Sequence, residues 1–126
     1  MTTDSFGAFE GDLSAEAAFD ELLTIIENIA RRNDELTGLK GFCSVDVPSV
    51  RANAVLLTSL ITTYGGGAAQ VTENRFNTWA EAIRKTFEDE ARWGFVPWPE
   101  AEKKAWLDAC NADLILLHKA VADTWE

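Results

Sequence analysis

Apolar residues recur at every third or fourth position in four separate segments of this chain, and glycine or proline separates the segments. This spacing puts the apolar side chains on one face of an α-helix, whereas a half-buried strand would alternate strictly. The pattern predicts an all-α fold, a four-helix antiparallel bundle that the shorter second helix could make irregular. We expect a non-helical N-terminal arm, residues 1–12, followed by one helical-bundle domain, residues 13–126.

Capping residues suggest where the helices begin. The first helix is predicted to start after Asp12 or Ser14, the second near Pro48 and the third at Thr72, while the fourth covers roughly residues 99–124. The residues at the centres of the four stripes should share one buried core. They are Leu22, Ile26, Leu57, Ile83, Phe87, Leu114 and Leu117.

Two connecting segments carry signals of their own. In residues 38–47 an apolar pair, Phe42 and Val45, is predicted to turn inward. The triplet Gly65–Gly67 shares only its glycines with a phosphate-binding loop, because that loop needs a following Gly-Lys-Ser/Thr and here AAQV follows. We therefore interpret the triplet as a helix terminator or a hinge.

The net charge of −10 limits the partners that this chain can attract. Nucleic-acid backbones and anionic membranes repel a strongly acidic protein, so we expect no direct contact with either. The uncharged stretch of residues 52–71 is too polar for a transmembrane helix. We expect a cytoplasmic location, or a place in a particle assembled in the cytoplasm. Because residues 1–37 carry a net charge of −7, a charge-driven protein partner should present a basic surface to them.

The residues that most often carry chemistry are few. Cys43 and Cys110 fit no metal or redox spacing, and we expect both thiols to be reduced and buried. The single histidine, His118, belongs to no metal-binding or catalytic pattern. The sequence therefore predicts no catalytic residue, no metal site and no cofactor.

Three acidic residues at four-residue spacing, Asp12, Glu16 and Asp20, form a stripe at the start of the first helix. Carboxylates near a helix N-terminus are favourable because they complement the helix dipole. Three of them, with no basic residue among them, exceed what that effect needs. The stripe is either a solvated face or the binding face for a basic partner.

The segment RWGFVPWPEAEKKAW, residues 92–106, holds three tryptophans and two prolines. Pro97 favours extended backbone before it and Pro99 suits the first position of a helix, so the segment is predicted to form the corner between the third and fourth helices. Trp98 lies between these prolines. It is either part of the core or an exposed anchor for a partner, since tryptophan often dominates interfaces.

The fourth helix is apolar on more than one face. Its run Leu114–Leu117 covers the whole circumference at about 100° per residue. A helix that is apolar all round is buried on more than one side, either at the centre of its own bundle or against another chain. In the second case Ile115 and Trp98, with Phe6 and Phe9 of the arm, should lie at a subunit contact in a homo-oligomer.

Three functions are compatible with these features. The first is a non-catalytic protein–protein interaction module, an assembly or adaptor subunit of a bacterial or viral particle. The second is a small acidic inhibitor protein that occupies a basic surface of its partner, for instance a nucleic-acid-binding one. The third is a helical enzyme that depends on carboxylates. The candidate partner-binding residues are Phe6, Phe9, Asp12, Glu16, Asp20, Trp98 and Ile115.

Overall fold

The computed structural model describes residues 12–89 and 99–125, which form four α-helices and no strand. Two short 3-10 turns follow the second and the fourth helix. The predicted all-α class and four-helix bundle are confirmed. Of the predicted arm, residues 1–11 lie outside the described residues, and its last residue begins the first helix. The helices are α1 (Asp12–Thr37), α2 (Val47–Tyr64), α3 (Glu73–Glu88) and α4 (Glu100–Val121).

Local capping signals in the sequence set two of the helix ends. At the start of α3 the Thr72 hydroxyl accepts a hydrogen bond from the Arg75 backbone N–H at 3.2 Å, as a capping threonine does. At the end of α2, Gly65 adopts left-handed backbone with φ 69° and donates its N–H to the Ile61 carbonyl. Glycine reaches this conformation without a Cβ clash, so the terminator role predicted for the triplet is confirmed at its first residue.

The four helices enclose one core, with Trp79 fully buried in it. Of the seven predicted core residues, Phe87 alone is half-buried rather than buried. It lies in the last turn of α3, where the core ends, and packs edge-on against Trp106 with 5.8 Å between ring centroids. The other six predicted core residues are buried: Leu22, Ile26, Leu57, Ile83, Leu114 and Leu117.

The loop between α1 and α2 buries only one of the two residues predicted to turn inward. Phe42 is buried, whereas Val45 is 78% exposed. The Asp46 N–H donates to the Cys43 carbonyl and the Asp46 carboxylate accepts from the Cys43 N–H, which closes a tight turn with Val45 next to its tip. Asp46 holds this turn and does not cap α2. Cys43 is half-buried, so the prediction of buried thiols is right only for Cys110.

Consecutive helices run antiparallel, but the order of the helices around the bundle is not their order in the chain. The close pairs are α1 with α2, α2 with α4, α4 with α3, and α3 with α1. The fold is therefore two antiparallel hairpins, α1–α2 and α3–α4, docked side by side so that α1 lies parallel to α3 and α2 parallel to α4. The predicted reason for irregularity, a shorter second helix, is wrong, because α2 has 18 residues and α3 has 16. The irregularity lies instead in the order of the helices.

A network of hydrogen bonds holds α1 against α3. Arg75 donates two bonds to the Glu27 carboxylate, at 2.8 and 2.6 Å, and its Nε lies 3.0 Å from Asp34 Oδ2. One turn further along α3, the indole N–H of Trp79 donates to Asp34 at 2.9 Å. Both helices advance in the same direction between these contacts, so they are parallel. Arg75 also donates to the Gln70 carbonyl at 2.7 Å and thereby joins α1, α3 and the turn before α3.

The connection from α2 to α3 crosses one end of the bundle diagonally. Its 3-10 turn contacts both α1 and α4. Before that turn, Gly66 and Gly67 lie so close to α1 that a Cβ atom at either position would collide with Phe19 or Ile26, respectively. The glycines thus let the backbone pass directly over the side chains of α1.

A matched pair of substitutions in α4 tests the orientation of this helix. Leu117 is fully buried, whereas its neighbour Leu116 is 55% exposed. Leu117→Ala should lower the free energy of unfolding by about 2–5 kcal/mol, because it leaves a cavity in the core. Leu116→Ala should change it by less than about 0.5 kcal/mol. Urea unfolding measures both, and equal losses would contradict the orientation of α4.

Glycine-to-alanine substitutions test the crossover. Gly67→Ala introduces a side chain at φ 85° and against buried Ile26, so it should cost about 2–4 kcal/mol of unfolding free energy. Gly65→Ala meets no atom within 4 Å and should cost only the left-handed backbone, about 1–2 kcal/mol. Gly41→Ala has neither problem and is the control. If thermal unfolding shows that Gly67→Ala is as stable as Gly41→Ala, the crossover does not pass over α1 as described.

Candidate functional site

Several residues predicted to contact a partner lie outside the described part of the chain. Phe6, Phe9 and Trp98 belong to this group, and Asp12 is described only as the first residue of α1. Their participation in a contact stays a prediction. The remaining candidates, Glu16, Asp20 and Ile115, can be placed on the bundle.

Glu16 and Asp20 are exposed, and neither forms an ion pair with a described residue. Asp20 lies seven residues, two helical turns, before Glu27, so both are on the flank of α1 that faces α3. Further along this flank, Glu27 and Asp34 are paired with Arg75. The start of α1 therefore presents negative charge that no cation of the described residues pairs with, and we call Glu16 and Asp20 the acidic flank.

The apolar run Leu114–Leu117 in α4 is divided between core and surface. Its two end residues are buried, whereas Ile115 and Leu116 are 56% and 55% exposed. The exposed pair points to different sides of the helix. Leu116 lines a groove against α2, and Ile115 lies three residues before His118, whose ring packs on Phe76 of α3. Helix α4 therefore leaves one aliphatic side chain on each flank.

The solvent face of α2 carries no charge. Its one charged residue, Arg51, is partly buried and pairs with Asp113 of α4, with 2.8 Å between Nε and Oδ2. The exposed faces of α1, α3 and α4 each mix acidic and basic residues. In a chain with a net charge of −10, an uncharged helix face is a distinct surface. Its central exposed residues are Ala52, Val55, Leu56, Ser59, Thr62 and Thr63.

Shallow grooves border α2 on both sides. The groove shared with α4 has a volume of about 530 Å³, and Thr58, Leu116 and Lys119 are among the residues lining it. The groove shared with α1 has a volume of about 400 Å³, and Arg32 and Asn53 are among its lining residues. Leu116 on the α4 side and Leu36 and Leu39 on the α1 side extend the apolar surface beyond α2. Charged residues line the same grooves, namely Lys119 on the α4 side and Arg32 and Glu35 on the α1 side.

A buried asparagine pair lies between α1 and α2. The Asn53 side-chain N–H donates to Asn33 Oδ1 at 2.8 Å. The side-chain nitrogen of fully buried Asn33 has no hydrogen-bond partner among the described residues. An unpaired buried N–H is unfavourable, so the pair adds more to the specificity of helix alignment than to stability.

Two ionisable side chains of the described helices, Cys110 and Glu27, have environments that disfavour proton transfer. Burial raises the pKa of the Cys110 thiol to about 11, so the thiol is protonated and unreactive at neutral pH. The hydrogen bonds from Arg75 lower the pKa of Glu27, the opposite of the raised pKa that a carboxylic general acid needs. Within the described residues, no three His, Cys, Asp or Glu side chains are grouped so that they could hold a metal ion.

Comparison of the chain with protein-family models, with curated proteins and with solved structures found no match. Among the described helices, none combines the length and the apolar character that a membrane span requires. Function must therefore be inferred from the surfaces of the bundle itself.

On the described helices, sequence reasoning identified one exposed aliphatic side chain, Ile115, and missed four others. Ile25, Val55, Leu56 and Leu116 are each about half exposed, and we call them the apolar band. A signal for the band was present, because α2 has a single charged residue in 18. The uncharged stretch is too polar for a membrane span, but an uncharged outer face on an amphipathic helix also indicates a protein contact.

The Arg75–Glu27 pair generates a pH prediction. The pKa of Glu27 is lower in the folded chain than its ordinary value of 4.5. The stability gained from the pair is therefore complete at a pH above 4.5 and is lost as the pH falls through the folded pKa. At neutral pH, Glu27→Gln should lower the unfolding free energy by about 1–2 kcal/mol. The difference from wild type should shrink below about pH 4.

The control for this prediction is Glu16→Gln, which changes an exposed carboxylate without an ion-pair partner. At neutral pH its unfolding free energy should differ from the wild type by less than about 0.5 kcal/mol, the small effect of one exposed carboxylate near a helix N-terminus. Urea unfolding at several pH values measures all three proteins. A Glu27→Gln effect that does not change between neutral and acidic pH would show that the carboxylate charge contributes nothing.

Proposed function

We propose that this protein is a non-catalytic protein–protein interaction module, an assembly or adaptor subunit of a bacterial or viral particle that associates with copies of itself. The supporting observation is the apolar band, four half-exposed aliphatic side chains on the described helices: Ile25, Val55, Leu56 and Leu116. Exposed apolar surface costs about 25 cal/mol per Å², and a protein contact removes that cost. The proposed location is the cytoplasm, or a particle assembled there.

A second candidate function is a small acidic inhibitor, and the acidic flank supports it. Glu16 and Asp20 are exposed, form no ion pair with a described residue and belong to residues 1–37, which carry a net charge of −7. A basic surface on another protein, such as a nucleic-acid-binding one, would pair with these carboxylates and associate rapidly through long-range attraction. No described feature favours the carboxylate-dependent enzyme, and we do not propose it.

Sedimentation velocity from micromolar to several hundred micromolar protein tests the first function against the second. A self-associating subunit should show a weight-average mass that rises above 13.9 kDa with concentration. A chain that stays monomeric throughout would contradict the self-associating subunit and leave the acidic inhibitor as the better candidate.

The matched control is the double variant Glu16→Gln, Asp20→Asn. It removes the charges of the acidic flank and leaves the exposed aliphatic side chains unchanged. Self-association through apolar surface should persist in this variant and become slightly stronger, because two negative charges per copy are lost. Loss of association in the variant would assign the contact to the acidic flank instead.

A further inference from the structure

The apolar band runs across the face of the bundle that α2 dominates. Val55 and Leu56 are the two central residues of the 18-residue α2. Leu116 lines the groove on the α4 side. Ile25 lies two turns before Arg32, which lines the groove on the α1 side, so it belongs to the flank of α1 that borders α2. The four side chains thus form one strip across three adjacent helices.

The residues next to the band on α2 are short. Ala52 and Ser59 precede and follow the central pair by about one turn on the outermost line of the helix, and Thr63 continues that line. Short side chains allow the axis of a second helix to come close, because interaxial distance is set by the side chains at the contact. The face is therefore shaped for a helix as well as free of charge.

We propose that this face binds a second copy of the chain, with the two α2 helices antiparallel about a two-fold axis that runs along the apolar band. The inference rests on the proposed function and names the contact surface of that self-association.

Charge favours a second copy over a different, basic partner. Each copy carries a net charge of −10, so two copies repel each other through most of their surfaces. The α2 helix itself brings no like charges into contact there, since Arg51 is already neutralised by Asp113. The nearest charged residues, Lys119, Arg32 and Glu35, line the grooves on either side of α2. A basic partner would find no carboxylate on α2 to pair with.

Symmetry also favours a second copy. An isologous interface needs a surface that is complementary to itself. The band crosses α2 at its midpoint, so a half-turn about the band lays Val55 and Leu56 on the same residues of the other copy. The charged residues beyond both ends of α2 stay outside the apolar centre of the contact.

The size of the face predicts a reversible dimer. An 18-residue helix is about 27 Å long, and the two flanking helices add a width of about 20 Å, which gives about 500 Å² per copy. Stable complexes commonly bury about 800 Å² per partner. We therefore expect a dimer that forms in the micromolar range and dissociates on dilution.

Sedimentation equilibrium of three single variants tests the surface. Leu56→Glu and Leu116→Glu place a carboxylate in the band, and each should raise the dimer dissociation constant about tenfold or more. Ile115→Glu is the matched control: it adds the same charge one residue away, at an equally exposed aliphatic position on the opposite flank of α4. It should change the constant by less than about threefold. Thermal unfolding checks that all three variants fold like the wild type.

Salt provides an independent measurement on the wild type. Higher ionic strength screens the repulsion between two acidic copies, so the dimer should become tighter as sodium chloride increases. A dimer that becomes weaker with salt is held by opposite charges and contradicts the α2 contact.

The outcomes separate this inference from the proposed function. If the wild type associates and Ile115→Glu weakens the association while Leu56→Glu and Leu116→Glu do not, the α2 contact is wrong. The proposal of a self-associating subunit then still stands. A wild type that stays monomeric overturns both. An oligomer larger than a dimer that neither band substitution reduces in mass also overturns the α2 contact.

Discussion

The side chain of Arg75 fixes how the two hairpins of this bundle are arranged. The apolar stripes decide which face of each helix is buried, but they do not decide which helices become neighbours. A guanidinium group presents several N–H donors in a rigid planar fork, so one arginine can align two helices and a loop at the same time. In the order α1, α2, α3, α4 around the bundle, Arg75 would lie away from Glu27 and Asp34, and partly buried charges would lose their partners. The network therefore stabilises the observed order.

The arrangement also divides the surface by charge. The acidic flank lies on the side of α1 that faces α3, and the apolar band lies on the other side, around α2. The pairing of Arg51 with Asp113 removes the single charge that α2 would otherwise display. Two copies of this strongly acidic chain repel each other through most of their surfaces, but the outer face of α2 carries no charge. Repulsion elsewhere on the surface restricts how two copies can meet, which adds specificity to a contact that has few polar groups of its own.

The sequence predicted those features that depend on a few neighbouring residues. Thr72 caps α3 and Gly65 ends α2 because backbone conformation and a nearby hydroxyl or missing Cβ decide them locally. Val45 is exposed because it lies in a tight turn, and Phe87 is half-buried because it lies where the core ends. Helical periodicity indicates neither feature. The same limit applies to α4. Its apolar run shows that more than one side of the helix is apolar, but only the positions of the neighbouring helices show that Leu116 borders α2 and Ile115 borders α3. The sequence indicates that α2 has an uncharged face, but it does not indicate that this face lies between α1 and α4.

The diagonal crossover has a consequence for how the chain folds. Contacts within a hairpin join residues close in sequence, such as Asn33 and Asn53, which are 20 apart. Contacts between the hairpins join residues much further apart, 48 for Arg75 with Glu27 and 62 for Arg51 with Asp113. Closing the longer loops costs more chain entropy before any contact repays it. We therefore expect each hairpin to form before the two dock, and docking partly buries both arginines.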